Sequence, residues 1–258
     1  MKKTKFAVLL TAFMAVLGLS SCLGEPDPYN TVTEVMKVNN FMGLYSFSSI
    51  YGYTVEPNDQ SLFTTSINNE FARVTYKYDT RTLNLNSENN KIDADILYLA
   101  PIDEIKYAYE TIEANTGMYK VSSSASFFDK VNMFLDLTYY YEYSSDNDDL
   151  KEELAKHSFY LSKANAEDDE DVKDGTVVLY LNHVVADPEN NDDRKNYGTE
   201  TRHFNLNYVL AGSEPDEIII KFKQNTYSAA VDDKNAKDSD ITIDYKSIVE
   251  YFNKDSNN

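Results

Sequence analysis

Three histidines, His157, His183 and His203, are the side chains best suited to hold a metal, and all lie on or beside segments that alternate like strands. Converging imidazoles would suit zinc. Their spacing matches no metal signature, and a strand histidine more commonly hydrogen-bonds a turn or a packed tyrosine, so neither metal nor cofactor is expected. The acidic loops come next: Asp168 to Asp171 with Asp174 and Gly175, Asp187 to Asp193, and Asp232 to Asp240. Calcium takes six to eight oxygens, yet none of these loops has the alternating acids, central glycine and closing glutamate of a calcium loop. They read as solvated loops that keep an acidic chain soluble. With 43 acids in the chain, picking out a pair for glycoside hydrolysis carries no information. Tyrosine is the third candidate, 21 residues with no tryptophan. Tyr139, Tyr141 and Tyr143 are the candidate ligand-facing positions, able to stack on a sugar or a partner; the alternative is the usual place of tyrosine in a sandwich core, its hydroxyl at the edge. No Gly-x-Ser-x-Gly, phosphate loop or dinucleotide fingerprint is present. No catalytic residue is identified, and an enzyme is not expected.

Cys22 is the only cysteine in the chain. Upstream of it stand a basic head, Lys2, Lys3 and Lys5, and an apolar run from Phe6 to Leu19 closed by small residues. The run is shorter than the roughly 20 apolar residues a spanning helix needs, and the pattern is that of a signal peptide over residues 1–21. Leu19-Ser20-Ser21-Cys22 resembles the lipobox of bacterial lipoproteins, which implies a lipidated Cys22 at the mature N-terminus. Several acyl chains on one residue, at about 0.8 kcal/mol per buried methylene, give lasting attachment to membrane lipid. The alternative, an ordinary cleaved leader, leaves a free thiol on an exported protein. Glu25 and Asp27, interrupted by Pro26, are similar to the acidic signal that sends some Bacteroidetes-type lipoproteins to the cell surface. An outer-membrane-anchored protein, surface-exposed rather than periplasmic, is the expectation.

Cleavage before Cys22 removes three lysines and no acid, so the formal charge of −19 becomes −22 over 237 residues. Such a chain repels phosphate backbones, and nucleic acid is not an expected partner. Without a second cysteine there is no intramolecular disulfide, and stability must come from a buried core.

Residues 22–40 carry Pro26 and Pro28 and little periodicity, and read as a tether. Residues 41–118 hold short alternating segments, 44–51, 71–78 and 92–99, and read as a small β domain; 102–112 is compatible with a helix or a strand. Ser122-Ser123-Ser124 marks the boundary. Residues 125–253 read as a β-sandwich with strands at 133–143, 157–161, 176–184, 203–210, 217–223 and 241–245. An acidic loop at 150–155 could form one helical turn, and 247–252 is an apolar finish.

The segments Phe134-Leu135-Asp136-Leu137, His157 to Leu161, Val178 to His183, Phe204-Asn205-Leu206 and Ile218 to Lys223 resemble, in order and spacing, the C-terminal domain of the NigD-like lipoproteins. The resemblance covers about 100 residues and implies that 41–118 is an OB-like barrel ahead of the sandwich: an all-β, two-domain chain. The family is associated with a bacteriocin locus and an immunity role, and no catalytic residue carries over. Val184 follows His183 where the family tends to have asparagine.

Two functional classes follow. One is a non-catalytic binding or interaction lipoprotein whose partner is a protein, the bacteriocin-immunity type included. The other is an accessory glycan-binding lipoprotein.

Overall fold

The computed structural model describes residues 27–63, 66–83, 90–110, 112–167 and 169–255. The expected signal peptide, residues 1–21, and Cys22 therefore lie outside the described residues. The chain is all-β, with a closed five-stranded barrel followed by a nine-stranded curled sheet among the described residues.

The barrel holds β1 (Tyr29–Phe41), β2 (Leu44–Ser48), β3 (Thr54–Pro57), β4 (Phe71–Asp79) and β5 (Lys91–Ile102), closed in the order β1-β2-β3-β5-β4. Only the β3–β5 pair is parallel. That is the OB-like arrangement. Residues 29–40, expected as tether, are instead the barrel's longest strand: β1 pairs with β2 from Lys37 to Phe41 and with β4 from Tyr29 to Lys37. The run Thr31-Val32-Thr33-Glu34-Val35-Met36-Lys37-Val38 is rich in β-branched residues and supports a strand, but its inward positions are mixed. Met36 is wholly buried, whereas Glu34 turns a carboxylate inward. Glu34 accepts hydrogen bonds from Ser49 Oγ at 2.7 Å, Tyr53 Oη at 2.6 Å and Tyr76 Oη at 2.7 Å. An apolar-in, polar-out reading hides this strand because its polar inward residue is satisfied by hydroxyls from across the barrel. Met36, Phe47, Val55, Val74, Tyr76, Ile92 and Ala94 fill the barrel.

The barrel ends at Ile102, and β6, β7 and the bridge between Glu104 and His203 belong to the second sheet, which corrects the 41–118 boundary. Its elements are β6 (Lys106–Tyr107), β7 (Met118–Val121), β8 (Ser126–Phe127), β9 (Asn132–Tyr141), α1 (Asn147–Ala155), β10 (His157–Lys163), β11 (Thr176–Val185), β12 (Asn196–Asn205), α2 (Asn207–Leu210), β13 (Glu217–Gln224), β14 (Lys237–Asp244) and α3 (Tyr245–Asp255). The serine run is a turn inside this sheet, where the Ser122 amide donates to Asp136 O at 2.9 Å. Segment 102–112 contains no helix among the described residues. The expected strand 203–210 divides at Leu206 into the end of β12 and α2, which closes on Ala211 and Gly212 with φ of 48° and 86°. The apolar finish is the helix α3.

The strand order is β12-β9-β7-β13-β11-β10-β6, with β14 beside β13 and β8 beside β9. One sheet makes both layers of the expected sandwich. It curls until Tyr139 of β9 packs on Phe159 of β10, ring centroids 5.2 Å apart, over a core of Leu135, Leu137, Leu161, Leu179, Leu181 and Ile220. Its two ends nearly meet, because the His203 amide donates to Asp103 O at 2.9 Å and the Ile105 amide to His203 O at 2.7 Å.

The two halves share a small core of Phe71, Ile102 and Phe134, joined by Val35 and Phe128. Phe71 meets Phe134 edge-on at 5.1 Å and tilts against His203 at 4.7 Å. Nearby, Arg73 Nη2 donates to Thr201 Oγ1 at 3.0 Å. Among the described residues no helix is long and apolar enough to cross a membrane.

Candidate functional site

One depression on the second sheet gathers side chains from three elements. Helix α1 starts where the Asp146 carboxylate accepts from the amides of Asp148 at 2.8 Å and Asp149 at 3.4 Å, capping donors that the first turn leaves unpaired. Leu150, Glu153 and Leu154 then share one face at helical spacing. That face lies against the end of the β9–β12 pair. Leu150 and Leu154, with Tyr139, Tyr141, Gly198, Thr199 and Glu200, line a pocket of about 160 Å³.

Behind the pocket lies a buried polar cluster. Arg194, only 2% exposed, donates from Nε to Glu153 Oε1 at 2.8 Å and also pairs with Asp187. Lys156 Nζ reaches Glu153 at 3.0 Å and Asp187 at 2.9 Å. Burial pushes the Glu153 carboxyl up, but hydrogen bonds from Arg194, the Glu142 amide and Lys156 outweigh it and hold the pKa at about 2. Asp187 is held low by the same contest, with Lys156, Asn190 and Arg194 prevailing over burial.

His157 and His183 continue this cluster into the core. His157 Nε2 lies 3.4 Å from Glu153 Oε1, and His157 Nδ1 lies 2.9 Å from His183 Nε2. Across the 2.9 Å contact one neutral imidazole donates and the other accepts, while the Glu153 carboxylate only accepts. His183 Nδ1 is buried. Desolvation lowers the pKa of His157 and lowers that of His183 well below the usual imidazole range, the latter helped by His157, Arg194 and Arg202. Both rings are neutral. The His183 ring stacks on Phe159 at 4.5 Å, and Tyr139 packs against both imidazoles. The Tyr139 hydroxyl is buried without a hydrogen bond; burial, with the charge of Glu200 next, pushes its pKa up.

Thus the structure joins His157 and His183 but not His203, which donates from Nε2 to Asn132 Oδ1 at 2.8 Å in the interdomain core. Among the described residues no group of three histidine, cysteine, aspartate or glutamate side chains could hold a metal ion. Of the three tyrosines, Tyr139 is 1% exposed and forms the pocket floor, Tyr141 forms a wall, and Tyr143 stands apart at 61% exposure. Nor are all the acidic loops merely solvated. Asp169 accepts from Tyr180 Oη at 2.5 Å and from Lys221 Nζ at 2.7 Å, and these bonds overcome burial to hold its pKa at about 2.

Sequence reasoning passed over Arg194, an arginine at the end of the acidic run 187–193 and so placed to gather its carboxylates. It also passed over Tyr119 and Tyr197. These stack at 4.3 Å on the opposite face of the sheet, with Tyr140 edge-on to both. A second depression, on the barrel, is lined by Glu56, Asp79, Asp93 and Lys91, with Lys91 paired to Glu56 and Asp79 to Arg81.

No protein-family model matches the chain, and no curated protein does. Solved structures share its fold. The chain is similar to a candidate lipoprotein of Bacteroides fragilis, with 21% identity and a TM-score of 0.69 over 84% of this chain and 98% of that one. It is also similar to a candidate toxin-related protein of Parabacteroides distasonis, with 12% identity and a TM-score of 0.50 over 87% and 99%. At these identities the likeness is one of fold: the barrel and the curled sheet recur together across almost the whole of both proteins.

Proposed function

We propose that this chain is a cell-envelope lipoprotein of NigD-like type, anchored through an acylated Cys22 to the outer membrane, and that it acts as a non-catalytic interaction module. The observation that carries the reading is the short distance in sequence between Cys22 and the folded body. Six residues, and so seven Cα–Cα steps, separate Cys22 from Tyr29, the first residue of β1. Even fully extended they span about 25 Å. A lipid on Cys22 would hold the barrel close to the bilayer. The resemblance of Leu19-Ser20-Ser21-Cys22 to a lipobox and the fold shared with a candidate lipoprotein support the same reading.

A binding role, rather than catalysis, is supported by how the polar side chains beside the pocket are used: Glu153, Asp187, Lys156 and Arg194 bond one another. An immunity-like role is one form of this reading, with a bacteriocin as the protein partner. The glycan-binding reading rests on the Tyr119–Tyr197 stack, whose outer ring, Tyr197, is 54% exposed. Loss of binding to an envelope polysaccharide in Tyr197→Ala would favour that second reading.

Metabolic labelling with an alkynyl fatty acid, comparing the full chain with Cys22→Ala, tests the anchor. Label on the parent and none on the variant is expected, together with degradation by protease added to intact cells. An unlabelled parent would exclude the lipoprotein reading; protection from protease would place the protein on the periplasmic side.

A further inference from the structure

Strand β12 ends the sheet, and among the described residues no strand pairs with its outer edge over residues 196–202. His203 shows which way that edge points, since its amide and carbonyl both bond outward, to Asp103 and Ile105. β12 pairs with β9 without a break from Asn196 to Asn205, and backbone direction alternates along a strand. The amides and carbonyls of Tyr197, Thr199 and Thr201 therefore point the same way as those of His203. Residues 103–105 already lie on one end of this edge as a short added strand. Beyond Tyr197 to Thr201 the described residues place no further strand.

The pocket adjoins this open stretch, because Gly198, Thr199 and Glu200 form its rim. Gly198 pairs with Tyr139, and a Cβ there would meet the Tyr141 ring at 3.2 Å. Having no side chain, Gly198 lets the Tyr141 ring lie against the strand at the rim of the pocket. The walls are mostly apolar: Leu150, Leu154 and the Tyr139 and Tyr141 rings. The volume of about 160 Å³ suits one ring or one branched aliphatic group, since an apolar cavity of about 150 Å³ holds benzene. Around the site Asp148, Asp149, Glu152, Asp192 and Asp193 are exposed acids.

We infer that β12 receives an extended peptide of a partner protein by edge pairing at Tyr197, Thr199 and Thr201, with one apolar side chain of that peptide entering the pocket at the rim formed by Gly198, Thr199 and Glu200. Main-chain bonds supply affinity and the pocket selects the side chain. The acidic surround favours a peptide with lysine or arginine beside the anchor. This deepens the protein-binding reading and rests on it.

The test is selection of a random dodecapeptide display library on the full chain in detergent, followed by titration of the enriched synthetic peptides. Thr199→Pro removes an outward amide that β9 does not use, a place where an edge strand tolerates proline. Leu150→Arg blocks the pocket independently. Enriched peptides should carry an aliphatic or aromatic anchor with basic neighbours, lose about tenfold or more in affinity for each variant, and slow hydrogen exchange at the Thr199 and Thr201 amides. Failure to enrich any peptide, or equal binding to parent and both variants, would overturn the inference. A concentration-dependent dimer abolished by Thr199→Pro would also overturn it, by giving the edge to a second copy. Fatty-acid labelling reads the anchor separately, so an unacylated chain that still binds peptide would refute the envelope reading alone.

Discussion

His157 Nδ1 and His183 Nε2 lie 2.9 Å apart in the core of the second sheet, two neutral imidazoles joined by one hydrogen bond with the Glu153 carboxylate beyond them. Their pKa values are depressed by burial, as is that of His203. A depressed folded-state pKa means that the unfolded chain takes up protons first as pH falls. The stability these neutral rings contribute is complete above about pH 6.5, the unfolded value, and is lost on acidification below it. Each histidine adds a slope of about 1.4 kcal/mol per pH unit. The urea midpoint should fall between pH 7.5 and 5.0, and by less in His183→Phe, which keeps the stack on Phe159. An identical fall in parent and variant would refute this account.

Arg194 neutralises Glu153 in a site from which water is largely excluded. Removing one partner of a buried pair leaves an uncompensated charge and costs about 3–5 kcal/mol. Arg194→Met should lose that much in chemical denaturation, and the double variant Glu153→Leu with Arg194→Met should recover most of it. Glu153 itself, with a folded pKa of about 2, contributes stability above its unfolded value of about 4.5 that disappears as pH falls toward 2. A second acid transition below the histidine window is therefore expected, and it should be smaller in the double variant, where Asp169 and Asp187 still contribute.

Deleting residues 23–26 should leave the melting temperature unchanged, whereas deleting 29–36 should unfold the barrel. Measured by differential scanning calorimetry, equal stability of the two truncations would show that β1 is dispensable.

Phe71 sits between Phe128, Phe134 and His203. Truncation of a buried phenylalanine costs about 3–5 kcal/mol. In Phe71→Ala that loss should fall on the junction, so that limited proteolysis cuts near residues 103–105 while both cores stay protected. Cleavage spread evenly over barrel and sheet would contradict the shared core.

The strands of the second half were legible because Leu135, Leu137 and Tyr139, or Ile218, Ile220 and Phe222, alternate with residues that face water or the other side of the sheet. Period two carries no information about what lies opposite. Nothing local announces that one sheet curls to make both layers, or that Arg194 returns to Glu153 across 41 residues. β1 was missed for a related reason: Glu34 occupies an inward position, and the hydroxyls that satisfy it come from Ser49, Tyr53 and Tyr76. The pocket depends on Gly198, whose missing side chain matters only because Tyr139 and Tyr141 stand beside it.

The register of the barrel also sets a line of force. Tyr29 pairs with Asp79 at one end of β4, while Ile102 pairs with Phe71 at the other. The chain thus enters the barrel at one rim and leaves it at the opposite rim. For a protein held at Cys22 and pulled by a partner on β12, tension runs lengthwise through the β1–β4–β5 ladder. Its hydrogen bonds are loaded in shear, together, rather than unzipped one after another. With such an anchor the barrel would be a strut one nine-residue strand, about 30 Å, in length, between the membrane and the second sheet.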